Sequence, residues 1–168
     1  MDRDLLAIYL TDHLAGAAAG SRRMQRLAEA ERSAPDADAL RRVATGVESD
    51  RAALMDMMRS EGIEPRRYKM ALARAVEMAG LLKTNGRIFE RSPLSSVVEL
   101  EGLRMGVVAK QCLWHSLRGT ELSARYDFSA LLERAEQQLE VLDQAHARRA
   151  GDVFGQARET LTRSNVTS

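Results

Sequence analysis

The chain has 168 residues, 45% hydrophobic and 29% charged, a balance that suits one globular domain with a sizeable core and excludes a disordered chain. Lys and Arg number 25 against 24 Asp and Glu, for a net charge of +1, so there is no electrostatic ground for expecting a nucleic-acid or membrane-surface protein. A single cysteine, Cys112, excludes an intramolecular disulfide and a cysteine-based zinc site.

Composition favours helix throughout. Ala, Leu, Arg and Glu dominate, aromatic residues make up 4%, and isoleucine occurs only at positions 8, 63 and 88. In chain order, the apolar spacing predicts a helix over residues 2–31 and a second over 36–60, joined by a short turn at Pro35 and therefore antiparallel. A shorter helix is expected over 66–82. The pair Ser92-Pro93 reads as an N-cap with proline at the first helical position, opening a helix over 93–117 that Gly119 stops. Asp127 reads as the N-cap of a last helix that reaches about residue 151, where Gly151 and Gly155 blur its end. Residues 1–161 form the expected domain, and 162–168 a polar, frayed tail.

The connections suggest topology. About thirty residues separate the second long helix from the third. A 25-residue helix is about 37 Å long, so a connection of that size can carry the chain back along the bundle and leave those two helices parallel. Two antiparallel hairpins joined by one long crossover is the expected all-α, four-helix layout, with an extra short helix in the crossover. The start Met1-Asp2-Arg3-Asp4 does not read as a secretory signal, and no stretch approaches 18 uninterrupted apolar residues, so a cytoplasmic protein is expected. Phosphate-binding glycine loops and serine-hydrolase elbows are missing from the sequence.

Polar residues interrupt the apolar stripes. His13 falls in the stripe Leu6, Leu10, Ala17, Gly20, Met24, Leu27, and Arg51 in Leu40, Val43, Ala44, Val47, Leu54, Met58, with Glu48 one turn earlier at its flank. Glu101 falls among Leu94, Val98, Met105, Val108 and Cys112, and His146 among Leu132, Ala135, Leu139, Leu142 and Val153, with Asp143 three residues before it. Burying such groups unpaired is costly, so four of them, one per long helix, point to a shared polar cluster near the bundle centre. The same third helix has a second apolar face, Leu100, Leu103, Val107 and Trp114, expected to meet the crossover helix, the loop between the third and last helices, or a second subunit as a homodimer.

This arrangement resembles the ferritin-like superfamily of di-iron carboxylate bundles, in which two helices each give a Glu and the other two each give Glu-x-x-His. Here the second helix offers Glu48-x-x-Arg51, the last offers Asp143-x-x-His146, the third supplies Glu101, and the first has His13, with Tyr9 and Asp12 nearby, where the family has Glu. The segments Tyr9-Leu10-Thr11-Asp12-His13-Leu14-Ala15-Gly16 and Ser92-Pro93-Leu94-Ser95 also resemble a group of small bacterial proteins of this fold, a likeness that carries no known activity. The family pattern implies metal ligands at Glu48, Glu101, Asp143, His146 and His13. Arg51 departs from it, because a guanidinium stays protonated and cannot act as an ordinary ligand. The three carboxylates and Arg51 sum to −2. One divalent ion neutralises that charge and two overcompensate it, which argues against a dinuclear centre. Two readings stay open. One is a non-catalytic protein with an ionic network in place of the di-iron site and a structural or protein-binding role, needing no cofactor. The other is an oxidoreductase or metal-storage protein holding a single iron, manganese or zinc ion. Each residue also has an ordinary reading: His13 and His146 as core histidines, Arg51 as an ion-pair partner, Glu48 and Asp143 as solvated flanks.

Overall fold

The computed structural model describes residues 2–64 and 93–166. All regular structure among them is helical: α1 (Arg3–Ala30), α2 (Ala37–Ser60), α3 (Pro93–Arg118), a 3-10 turn (Glu121–Ala124) and α4 (Phe128–Val166). The expected crossover helix at 66–82 lies outside the described residues.

Local chemistry sets the ends. The Asp2 carboxylate accepts from the amides of Asp4 and Leu5 at 3.0 and 3.2 Å, and Asp127 accepts from Ala130 N at 3.0 Å, so both helix starts are capped by side chains. At the end of α2, Gly62 takes φ +64°, the Gly62 amide bonds Arg59 O, and the Ile63 amide bonds Met58 O at 2.8 Å. That is a Schellman stop, and buried Ile63 supplies its hydrophobic contact. α4 passes Gly151 and Gly155 without breaking and includes Thr162. Helix-interior glycine costs only about 1 kcal/mol against alanine, too little to end a helix already formed.

α1 packs on α2 and α3, and α4 on α3 and α2, so the four helices close a ring. The contacts give their directions. At one end the start of α1 and the start of α4 meet the ends of α2 and α3: Leu6, Leu10 and Leu14 pack with Leu54, Met57, Met58, Leu113, Trp114, Leu117, Phe128 and Leu132. At the other end Met24, Leu27 and Ala28 pack with Leu40, Val43, Leu100, Leu103 and Leu142. Each helix is therefore antiparallel to both neighbours, and α2 is parallel to α3 across the diagonal. An ionic clasp closes this second end. Arg149 bonds Glu31 and Asp36 at 3.0 Å each, Arg148 reaches Asp36 at 3.0 Å, and Ser96 donates to Glu31 at 2.7 Å.

Two readings of the stripes need correction. The face of α3 formed by Leu100, Leu103, Val107 and Trp114 is the core face, so it is not available to a second subunit. The stripe of Leu94, Val98, Met105 and Val108 is exposed instead, and Cys112 with it. Both faces are apolar at helical spacing, so spacing alone does not choose between them. Trp114 and Leu117 extend the buried one by a further turn, giving it the larger area to remove from water. On α1, a Cβ at Gly16 or Gly20 meets nothing within 4 Å among the described residues. Gly16→Ala and Gly20→Ala are each expected to raise stability by about 0.5–1 kcal/mol, measured by urea unfolding. A loss at either site would mean that a neighbour approaches there.

Candidate functional site

The two apolar clusters are separated by a polar layer halfway along the bundle. Its centre is Asp50 on α2, 2% exposed. Three side chains from two other helices donate to its carboxylate: Lys110 of α3 through Nζ, Arg134 of α4 through Nε at 2.6 Å, and Gln138 of α4 through Nε2 at 3.0 Å. Lys110 also donates to Gln138 Oε1. Burial pushes the Lys110 ammonium below its ordinary pKa, Asp50 pulls it back up, and Arg134 adds to the lowering. The lysine on its own is thus a cost to the fold that Asp50 partly offsets. Gly46 makes room for the layer, because a Cβ there would lie 2.8 Å from Gln138 Nε2.

Beside this centre lies a second pair. Glu48 accepts from Arg51 Nε at 3.0 and 3.1 Å and from the buried Ser21 hydroxyl of α1 at 2.5 Å. Arg51 turns along its own helix and also reaches Met55 Sδ at 3.1 Å. Its hydrogen bonds, and then that of Ser21, lower the Glu48 pKa to about 2. A carboxyl held below its unfolded value stabilises above about pH 4.5 and loses that contribution as pH falls toward 2. The pair is partly exposed, so solvent screening limits the effect to about 1 kcal/mol. Arg51→Met is expected to remove about that much and to move the acid-unfolding midpoint upward, read by circular dichroism against pH. An unchanged midpoint would contradict the pairing.

The residues expected to converge do not share one place. Glu48 stays with Arg51 and Ser21. Glu101 meets His146 Nε2 at 3.2 Å on the outside of the α3–α4 pair, with its side chain 54% exposed. Asp143 pairs with Arg104 Nε at 2.5 Å next to them. His13 packs edge-on against Tyr9, ring centroids 4.6 Å apart, and Tyr9 donates to Ser116 Oγ at 3.3 Å. Burial lowers the His13 pKa, against an opposing pull from Asp12. Among the described residues no three His, Cys, Asp or Glu side chains gather as metal ligands would. The reason lies in helix phase. On α3 the face carrying Glu101 points outward, and on α2 the seam passes through Asp50 rather than Arg51.

Asp50, Lys110, Arg134 and Gln138 escape a reading of stripes around histidines. For Asp50 and Lys110 the signal is the alternating three-and-four spacing of Leu40, Val43, Val47, Asp50, Leu54, Met57, and of Leu100, Leu103, Val107, Lys110, Trp114, Leu117. Each run has one charged residue at an otherwise apolar position. Gln138 takes the matching place between Ala135 and Leu142.

Comparison of the chain with protein-family models, with curated proteins and with solved structures gives no match. No helix among the described residues is long and apolar enough to cross a membrane.

Proposed function

We propose that the chain is a non-catalytic, ferritin-like bundle protein of the cytoplasm, with an ionic network where the di-iron proteins hold metal, and that it works by binding protein. The antiparallel ring with α2 parallel to α3 supports the ferritin-like part of this reading, since one long crossover between two hairpins gives that order. The observation that carries the rest is Asp50, whose two carboxylate oxygens accept from three donors on two other helices. Its charge is answered by Lys110 and Arg134, so the layer acts by fixing the register of three helices. Binding then falls to the outside, where, among the described residues, an apolar stripe of α3 is exposed.

The metal-binding alternative rests on the contact between Glu101 and His146, with Asp143 one turn away on the same side. Thermal melts with and without manganese, zinc or ferrous ion separate the two. The network reading expects unchanged melting temperatures. A rise with metal that Glu101→Gln or His146→Ala abolishes would replace it with the single-metal reading.

A further inference from the structure

We propose that the outward stripe of α3 pairs with the same stripe on a second copy of this chain, the two helices running antiparallel. This rests on the protein-binding reading above and names its partner.

Among the described residues five of the six large exposed hydrophobics lie on one side of the bundle: Leu94, Val98, Met105 and Val108 on α3, and Phe154 on α4. Phe154 follows Asp143 by three turns on the same flank of α4, level with the start of α3, because Asp143 faces Arg104 and His146 faces Glu101. The stripe Leu94, Val98, Glu101, Met105, Val108, Cys112 alternates steps of four and three, the spacing that seats one helix along another. It is about 27 Å long. Gly102 and Gly106 lie beside it with nothing within 4 Å of a Cβ there among the described residues, leaving space for a neighbouring backbone.

Within a self-pair, charge selects the direction. Glu101 is the one ionisable carboxylate in the stripe, and Arg104 stands one turn further along α3. A parallel pair would set Glu101 against the partner's Glu101, two carboxylates in an apolar seam. An antiparallel pair about the middle of the stripe sets Val98 against the partner's Val108, Leu94 against the partner's Cys112, and Glu101 between the partner's Met105 and the partner's Arg104. Glu101 and Arg104 keep His146 and Asp143 of their own chain as partners, and the antiparallel register adds a second acid–base approach on each side, related by the two-fold axis of a closed dimer.

Met105 is 67% exposed, so charged variants there leave each copy folded. The experiment is sedimentation equilibrium of the full chain, with thermal melts, for wild type, Met105→Glu and Met105→Arg. Wild type is expected to be dimeric at tens of micromolar. Met105→Glu opposes the partner's Glu101 twice per dimer and is expected to weaken association by about a hundredfold. Met105→Arg faces the same carboxylate with opposite sign and is expected to stay within about tenfold of wild type. Equal disruption by both variants would overturn the antiparallel register. A monomeric wild type would overturn the self-pairing. If Met105→Glu then also lowered the melting temperature, the chain itself would cover the stripe and the protein-binding reading would fall too. If it did not, that reading would stand with another partner.

Discussion

Replacing Asp50 with leucine is expected to destabilise the bundle by about 3–5 kcal/mol, the usual cost of removing one partner from a buried ion pair. Leucine has a similar volume, so the loss reports charge rather than a cavity. Lys110 then keeps its ammonium in the core with only Gln138 Oε1 as an acceptor among the three groups of the layer. Burial already depresses its pKa, and the largest opposing influence disappears with Asp50. Arg134 is better placed, because its side chain is 40% exposed and can turn toward water. In a domain of this length the melting temperature should fall by roughly 10 °C. The sign of the pH response also follows. A lysine whose folded pKa lies below its unfolded value of 10.5 makes stability rise as pH climbs from the lowered value toward 10.5. Asp50→Leu lowers the Lys110 pKa further and so widens that window downward. Melting curves between neutral pH and pH 10 measure it, and a variant less stabilised by alkali than wild type would contradict the assignment.

Arg149→Met is expected to cost about 2–3 kcal/mol. Arg149 is largely buried at the other end of the bundle and ties α4 to Glu31 after α1 and to Asp36 before α2. Methionine keeps most of the aliphatic stem but leaves two shielded carboxylates without that countercharge. Ser96 still bonds Glu31 and Arg148 still reaches Asp36, which holds the loss below that at Asp50. The expected signature is faster hydrogen exchange over residues 31–37 together with lower stability. A stability loss without local exchange would mean that the clasp does not order the α1–α2 turn.

The helices were legible in the sequence because their ends carry local chemistry. Asp2, Asp127, Pro93 and Gly119 stand where the structure starts or stops a helix, and the described bounds of α1, α2 and α3 fall within a residue or so of those the spacing predicts. The antiparallel hairpins followed from connection length. The candidate site was less legible. Arg51 and Asp50 are adjacent on α2, and a rotation of one residue exchanges seam for flank. Val43, Val47 and Leu54 fit either phase. What decides is the partner helices: Lys110 and Gln138 point to the position of Asp50 from α3 and α4, and no single helix carries that information. On α3 two apolar faces compete, and Glu101 drew attention to the wrong one. A carboxylate on an apolar face marks a core site only when that face is the buried one. Here its partner, His146, sits with it at the surface.

The most direct test of a structural ionic layer is a double-mutant cycle of Asp50→Leu and Lys110→Met, followed by urea unfolding. Lys110→Met alone is expected to cost about 1 kcal/mol, because Arg134 and Gln138 continue to serve Asp50 while an expensive buried ammonium is removed. The double variant is expected to be more stable than Asp50→Leu alone, with a coupling of about 2 kcal/mol. Additive losses, with the double variant less stable than either single one, would mean that Asp50 and Lys110 do not act as a pair and that the polar layer does not hold the bundle in register.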